Sequence, residues 1–90
     1  MISQLEQRIL ALIDENVEHA SDDELFAGGY LRGHVTLAAA QAEAQGKASL
    51  EAYSELIEQS LDSAIAAGEL SPPDRALVFE TWNALKARVA

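Results

Sequence analysis

No cysteine occurs in this chain, which excludes disulfides, zinc sites built on thiolates, and cysteine nucleophiles. The only prolines, Pro72 and Pro73, fall together in "GELSPPD", the clearest punctuation in the sequence. Aromatic residues are few, and Phe26, Tyr30, Tyr53, Phe79 and Trp82 stand at spacings that suit packing. Basic side chains are scarce as well: six against fifteen acidic ones, for a net charge of −9. Such a chain repels phosphate backbones and anionic lipid, so neither nucleic acid nor a membrane surface is expected as a partner. Cations and basic protein surfaces are the natural attractants. No apolar run reaches membrane-spanning length. The opening "MISQLEQRILALIDENVEH" gains a charge every few residues and lacks the basic, then apolar, plan of a signal peptide. A cytoplasmic protein is expected. With two histidines, His19 and His34, no Ser-His-Asp arrangement can be argued.

What is present reads as helix. Ninety residues suit a single domain, 1–90. At 49% hydrophobic and 23% charged the chain is too apolar to be disordered. Its apolar content is mainly Ala and Leu, which favours helix over sheet. Ser3 and Glu6 suggest a capping box, followed by an apolar stripe through Leu5, Ile9, Leu12, Ile13 and Val17, predicting a helix over about 4–19. Ser21 with Glu24 is a second box, with Asp22, Asp23 and Glu24 on a first turn where the helix dipole favours negative charge. The glycine pair Gly28-Gly29 then predicts a stop, giving a short helix at about 22–27, a bend, and a longer helix at about 30–45. A single kinked helix across 22–45 is the other reading. Gly46 and Ser49 separate that helix from one at about 50–67, which Gly68 ends. Ser71, Pro72 and Asp74 start the last, at about 72–88. The expected fold is all-α, a compact bundle of four main antiparallel helices plus the short one.

The unusual surface lies in "FAGGYLRGHV", residues 26–35. It is no phosphate loop, for it lacks the preceding strand and the Lys-Ser/Thr of such loops. Gly29 and Gly33 form G-x-x-x-G: Gly29 is expected to relieve the bend and Gly33 to admit a close helix crossing. The functional alternative is bare backbone over which a ligand or peptide lies. Arg32 is expected to pair with Asp22, Asp23 or Glu24 across the bend. His34 stands one turn after Tyr30 and shares its face. The acidic stretch 14–24 contains Glu15 and His19 four apart, an incomplete metal-ligand set, so no metal and no cofactor is expected.

The blocks "HASDDELFAGGYLRGH" and "GELSPPDRALV" resemble the YfcL family, small acidic proteins of gamma-proteobacteria, and the likeness runs nearly end to end. The resemblance implies a bacterial, cytoplasmic, helical protein, and it carries no catalytic or binding residue across. The leading expectation is a non-enzymatic interaction module for a partner with a basic surface, a homodimer being a further option. Asp22, Asp23, Glu24, Tyr30, Arg32 and His34 are its candidate contact residues. The rival is a small-anion or cation site formed by Tyr30, Arg32 and His34, in which Arg32 grips a carboxylate or phosphate.

Overall fold

The computed structural model describes residues 2–15 and 17–90. Its elements are α1 (Ile2–Glu15), a 3₁₀ turn (Val17–His19), α2 (Asp22–Ala44), α3 (Leu50–Ala66) and α4 (Pro72–Val89), with no strand among the described residues. The all-α bundle is thus the fold found. Three helix starts follow their expected chemistry. Ser21 and Glu24 close a full capping box, and the hydroxyls of Ser49 and Ser71 accept from the amides of Ala52 and Asp74. Two helix ends are Schellman turns, with Gly46 at φ 70° and Gly68 at φ 81°. In each, the residue after the glycine donates back to the third-last helical carbonyl (Lys47 to Ala42, Glu69 to Ala64).

Two boundaries differ from expectation. Helix α1 begins at Ile2, so Ser3 lies within it and lacks the extended backbone that a cap requires. The helix also stops at Glu15, and the 3₁₀ turn takes the place of its last residues. Asn16, and the side chain of Val17 expected on the apolar stripe, lie outside the described residues.

The larger correction concerns the bend. The segments expected at 22–27 and 30–45 are one helix, α2, continuous through Gly28 and Gly29. The pair costs about 2 kcal/mol relative to alanines. Against this, Leu31 and Val35 are fully buried, each contributing roughly 1.5–3 kcal/mol. Ala27, Ala38, Ala39 and Ala42 are buried as well, so tertiary packing outweighs local propensity. The close crossing is also displaced by one turn. A Cβ on Gly28 would stand 3.2 Å from Ile13 Cγ2 of α1, whereas one on Gly33 would meet nothing within 4 Å.

Helix α2 touches each of the other three helices. At 23 residues it is about 35 Å long, enough to span the largest extent of a molecule measuring 35 × 30 × 18 Å. Tyr53 Oη donates to the Val35 carbonyl at 2.8 Å, His34 Nδ1 lies 2.6 Å from Ser60 Oγ, and Tyr30 Oη donates to Glu69 at 2.9 Å. Later residues of α3 therefore meet earlier ones of α2, and the two helices run antiparallel. Trp82 of α4 is fully buried, and its indole N–H reaches Glu58 Oε2 of α3 at 3.3 Å. The same oxygen accepts from Ser54 at 2.6 Å and stands 3.5 Å from Lys86 Nζ. The Ser54 hydroxyl, ahead of the indole and the lysine, holds the Glu58 carboxyl below its ordinary range despite partial burial.

Candidate functional site

Among the described residues, the three large apolar side chains that remain exposed, Leu25, Phe26 and Leu37, all belong to α2. Leu25 forms part of a groove of about 460 Å³ between the first half of α2, the end of α1 and the outer face of α4. Its floor and walls come from Ile13, Leu25, Gly28, Gly29, Leu77, Ala84 and Leu85, with Ala20 at the edge. Gly28 and Gly29 have separate roles here. Gly28 is buried against Ile13, and Gly29 leaves its backbone bare, since a Cβ there would meet nothing within 4 Å. The bare backbone patch therefore exists at Gly29, within a continuous helix rather than at a break between two.

Charges surround this apolar trough: Asp14, Glu24, Arg32, Glu80 and Arg88 all line it. Arg32 Nη1 donates to Asp14 Oδ1 at 2.8 Å, which replaces the expected pairing with Asp22, Asp23 or Glu24. The reason is the continuity of α2. Without a fold-back, Arg32 stands two or more turns from residues 22–24, while the C-terminal turn of α1 lies alongside it. Arg88 Nη2 is 4.0 Å from Glu15 Oε1, so both arginines are held at the α1 end of the groove. Glu24 is occupied in its cap, with Oε1 accepting from the Ser21 hydroxyl at 3.0 Å. Asp22 and Asp23 are exposed on the first turn of α2 and do not line the groove.

The six candidate contact residues thus divide. Glu24 and Arg32 line the groove, whereas Tyr30 and His34 face α3. Phe26, Tyr30 and His34 follow at intervals of four, with Phe26 and Tyr30 stacked at 6.0 Å and Tyr30 edge-on to His34 at 4.7 Å. Burial, followed by the hydrogen bond and charge of Glu69, pushes the Tyr30 hydroxyl up to about 12. Burial lowers His34 below its ordinary value, and the charge of Glu69 offsets only part of that. With Tyr30 bonded to Glu69 and His34 to Ser60, these rings do not join Arg32 in one concave site. Sequence reasoning missed the α4 wall: Leu77 was legible as apolar, but nothing local tells that Thr81, Ala84 and Arg88 stand opposite Gly29.

Among the described residues, no three histidine, aspartate or glutamate side chains gather as a metal-ligand set. No described helix is long and apolar enough to cross a membrane.

Residues 3–87 match the family described as YfcL protein. Over 85 residues the chain is 59% identical to "Uncharacterized protein YfcL" of Escherichia coli (strain K12), which spans 94% of this chain and 92% of the relative. No solved structure matches.

Proposed function

This chain belongs to the YfcL family, and from that premise we propose that it is a non-enzymatic docking protein whose groove between α1, α2 and α4 receives part of a partner protein. The observation that carries the proposal is the trough itself. Leu25 stays 43% exposed on its wall, and Gly29 opens its floor to bare backbone. Exposed apolar surface beside a polar rim is the pattern of contact sites, because its burial against a partner supplies the driving force. A catalytic reading has less to work with. General acid–base chemistry needs a free, positioned pair, and among the described residues Glu80 stands in the groove without a second free titratable side chain paired to it. Asp14 holds Arg32, Glu24 holds Ser21, and the Thr81 hydroxyl donates to the Leu77 carbonyl at 2.8 Å.

The test is a capture experiment with a silent-fold control. Wild-type chain and Gly29→Leu are immobilised and exposed to lysate of a bacterium carrying the family, and bound proteins are identified. Leucine at position 29 enters open space and has better helix propensity than glycine, so the variant should melt no lower than wild type while filling the groove. Loss of a saturable partner with this variant, retained with Gly33→Leu on a face outside the groove, is the expected result. Equal capture by all three proteins would place the contact elsewhere.

A further inference from the structure

Resting on that docking reading, we infer that the groove's occupant is an amphipathic helix of a partner protein, laying apolar side chains over Gly29 and a lysine or arginine against Glu24 and Glu80. Known modes of segment recognition differ in what they require, and the groove meets one of them. Addition of a strand needs an open sheet edge, and the described residues contain no strand. A proline-rich segment needs an aromatic-lined trough, and no aromatic side chain lines this one. Recognition of phosphate or carboxylate needs available arginines, but Asp14 holds Arg32 at 2.8 Å and Glu15 stands 4.0 Å from Arg88. A helix in a groove needs helical walls, apolar side chains and small residues that permit close approach. Here α2 and α4 form the walls, and Gly29 and Ala84 are the small residues.

Charge sets the direction of the occupant. At the arginine end of the groove, Asp14 and Glu15 stand beside Arg32 and Arg88 and offset their charge. Two turns earlier along each wall stand Glu24 and Glu80, and neither makes a salt bridge among the described residues. Asp22 and Asp23 extend the negative field past this mouth, and no lysine or arginine occurs in sequence between Arg8 and Arg32. A basic residue at one end of the incoming helix therefore gains, and an acidic one is repelled. A second copy of this chain is a poor occupant for the same reason, as each copy carries a net charge of −9.

The experiment uses the full chain, ¹⁵N-labelled, with three synthetic peptides of about three helical turns. All share one leucine and alanine composition. The first has an amphipathic stripe and lysines at one end, the second the same stripe with glutamates, and the third the lysines with the stripe scrambled. The first should bind, shift the amides of Gly28, Gly29 and Ala84, and lose its binding in Gly29→Leu. Should that variant melt early, Ala84→Gln provides a second obstruction. The other two peptides should bind at least about tenfold more weakly. Glu24→Gln/Glu80→Gln, which keeps the capping geometry, should weaken the first peptide by about threefold, the scale of an exposed ion pair. Equal binding of the lysine and glutamate peptides, shifts centred outside the groove, or no binding by any peptide overturns the inference. So does a concentration-dependent shift of the groove amides in the free chain, which marks a second copy as occupant. If no peptide binds while Gly29→Leu still abolishes capture of a lysate protein, the helix is wrong and the docking reading stands. If Gly29→Leu captures that protein normally, both fall.

Discussion

At the residue scale, three glycines in one helix have two kinds of surroundings, and this makes them a test of the packing. Gly29 and Gly33 stand over open space, so alanine there gains helix propensity without a contact to disturb. Each change should stabilise by about 0.5–1 kcal/mol. At Gly28 the added methyl would lie 3.2 Å from Ile13 Cγ2, so the Ile13 side chain must shift by a few tenths of an ångström, which offsets part of that gain. Gly28→Leu, which overpacks the crossing, should destabilise by about 1–3 kcal/mol. Urea melts of the series would refute this placement if Gly28→Ala proved the most stable of the three alanine variants. His34 provides a second test at this scale. Burial lowers its folded-state pKa below that of the unfolded chain, so the unfolded state binds the proton more readily. Stability from this residue is full above the unfolded value near 6.5 and falls as pH drops towards the folded value. The groups facing it, Tyr30, Ser60 and Glu69, do not reverse that sign. The stability difference between wild type and His34→Gln should therefore shrink between about pH 7 and pH 5. A difference that grows on acidification would show that the ring is charged in the fold.

At the scale of elements, legibility followed the range of the interaction that decides each feature. Ser21, Ser49 and Ser71 act on amides three residues ahead, and Gly46 and Gly68 close turns on carbonyls a few residues behind. All five were readable because cause and effect are adjacent in sequence. The glycine pair misled, since its local cost is set against burial of Leu31 and Val35 by helices far along the chain. Arg32 was misassigned for the same reason: a fold-back would have brought it to residues 22–24, and a continuous helix presents it to Asp14. The groove was legible only in half, its α2 side, because the pairing with α4 is a long-range fact. The Arg32 pair gives this account a number. Both side chains are about half exposed, at 47% and 58%, so Arg32→Ala and Asp14→Ala should show a coupling of about 0.2–1 kcal/mol in a double-mutant cycle. Arg32→Ala with Asp23→Ala should be additive. Coupling to Asp23 and none to Asp14 would restore the bend.

At the scale of the whole molecule, fifteen acidic and six basic side chains share a body of 35 × 30 × 18 Å. At an ionic strength of about 0.01 M the screening length is about 30 Å, so nearly every pair of charges interacts; at about 1 M it is about 3 Å. The dominant pairs are repulsive, and the recorded salt bridges are exposed and individually weak. Sodium chloride should therefore stabilise the free chain. A relief of about 1 kcal/mol corresponds to a rise in Tm of roughly 4–8 °C for a domain of this size. Docking should respond with the opposite sign, because a basic partner drawn to Glu24 and Glu80 loses its attraction as salt rises. One titration thus reads two processes. Thermal melts of the isolated chain should move up between about 0.01 and 1 M salt, while the affinity for a captured partner should fall by about threefold over the same range. A Tm that falls with salt would mean that attractive pairs dominate the fold. A partner that elutes completely at about 1 M salt would mean that charge at the mouth, rather than apolar contact in the trough, carries the association.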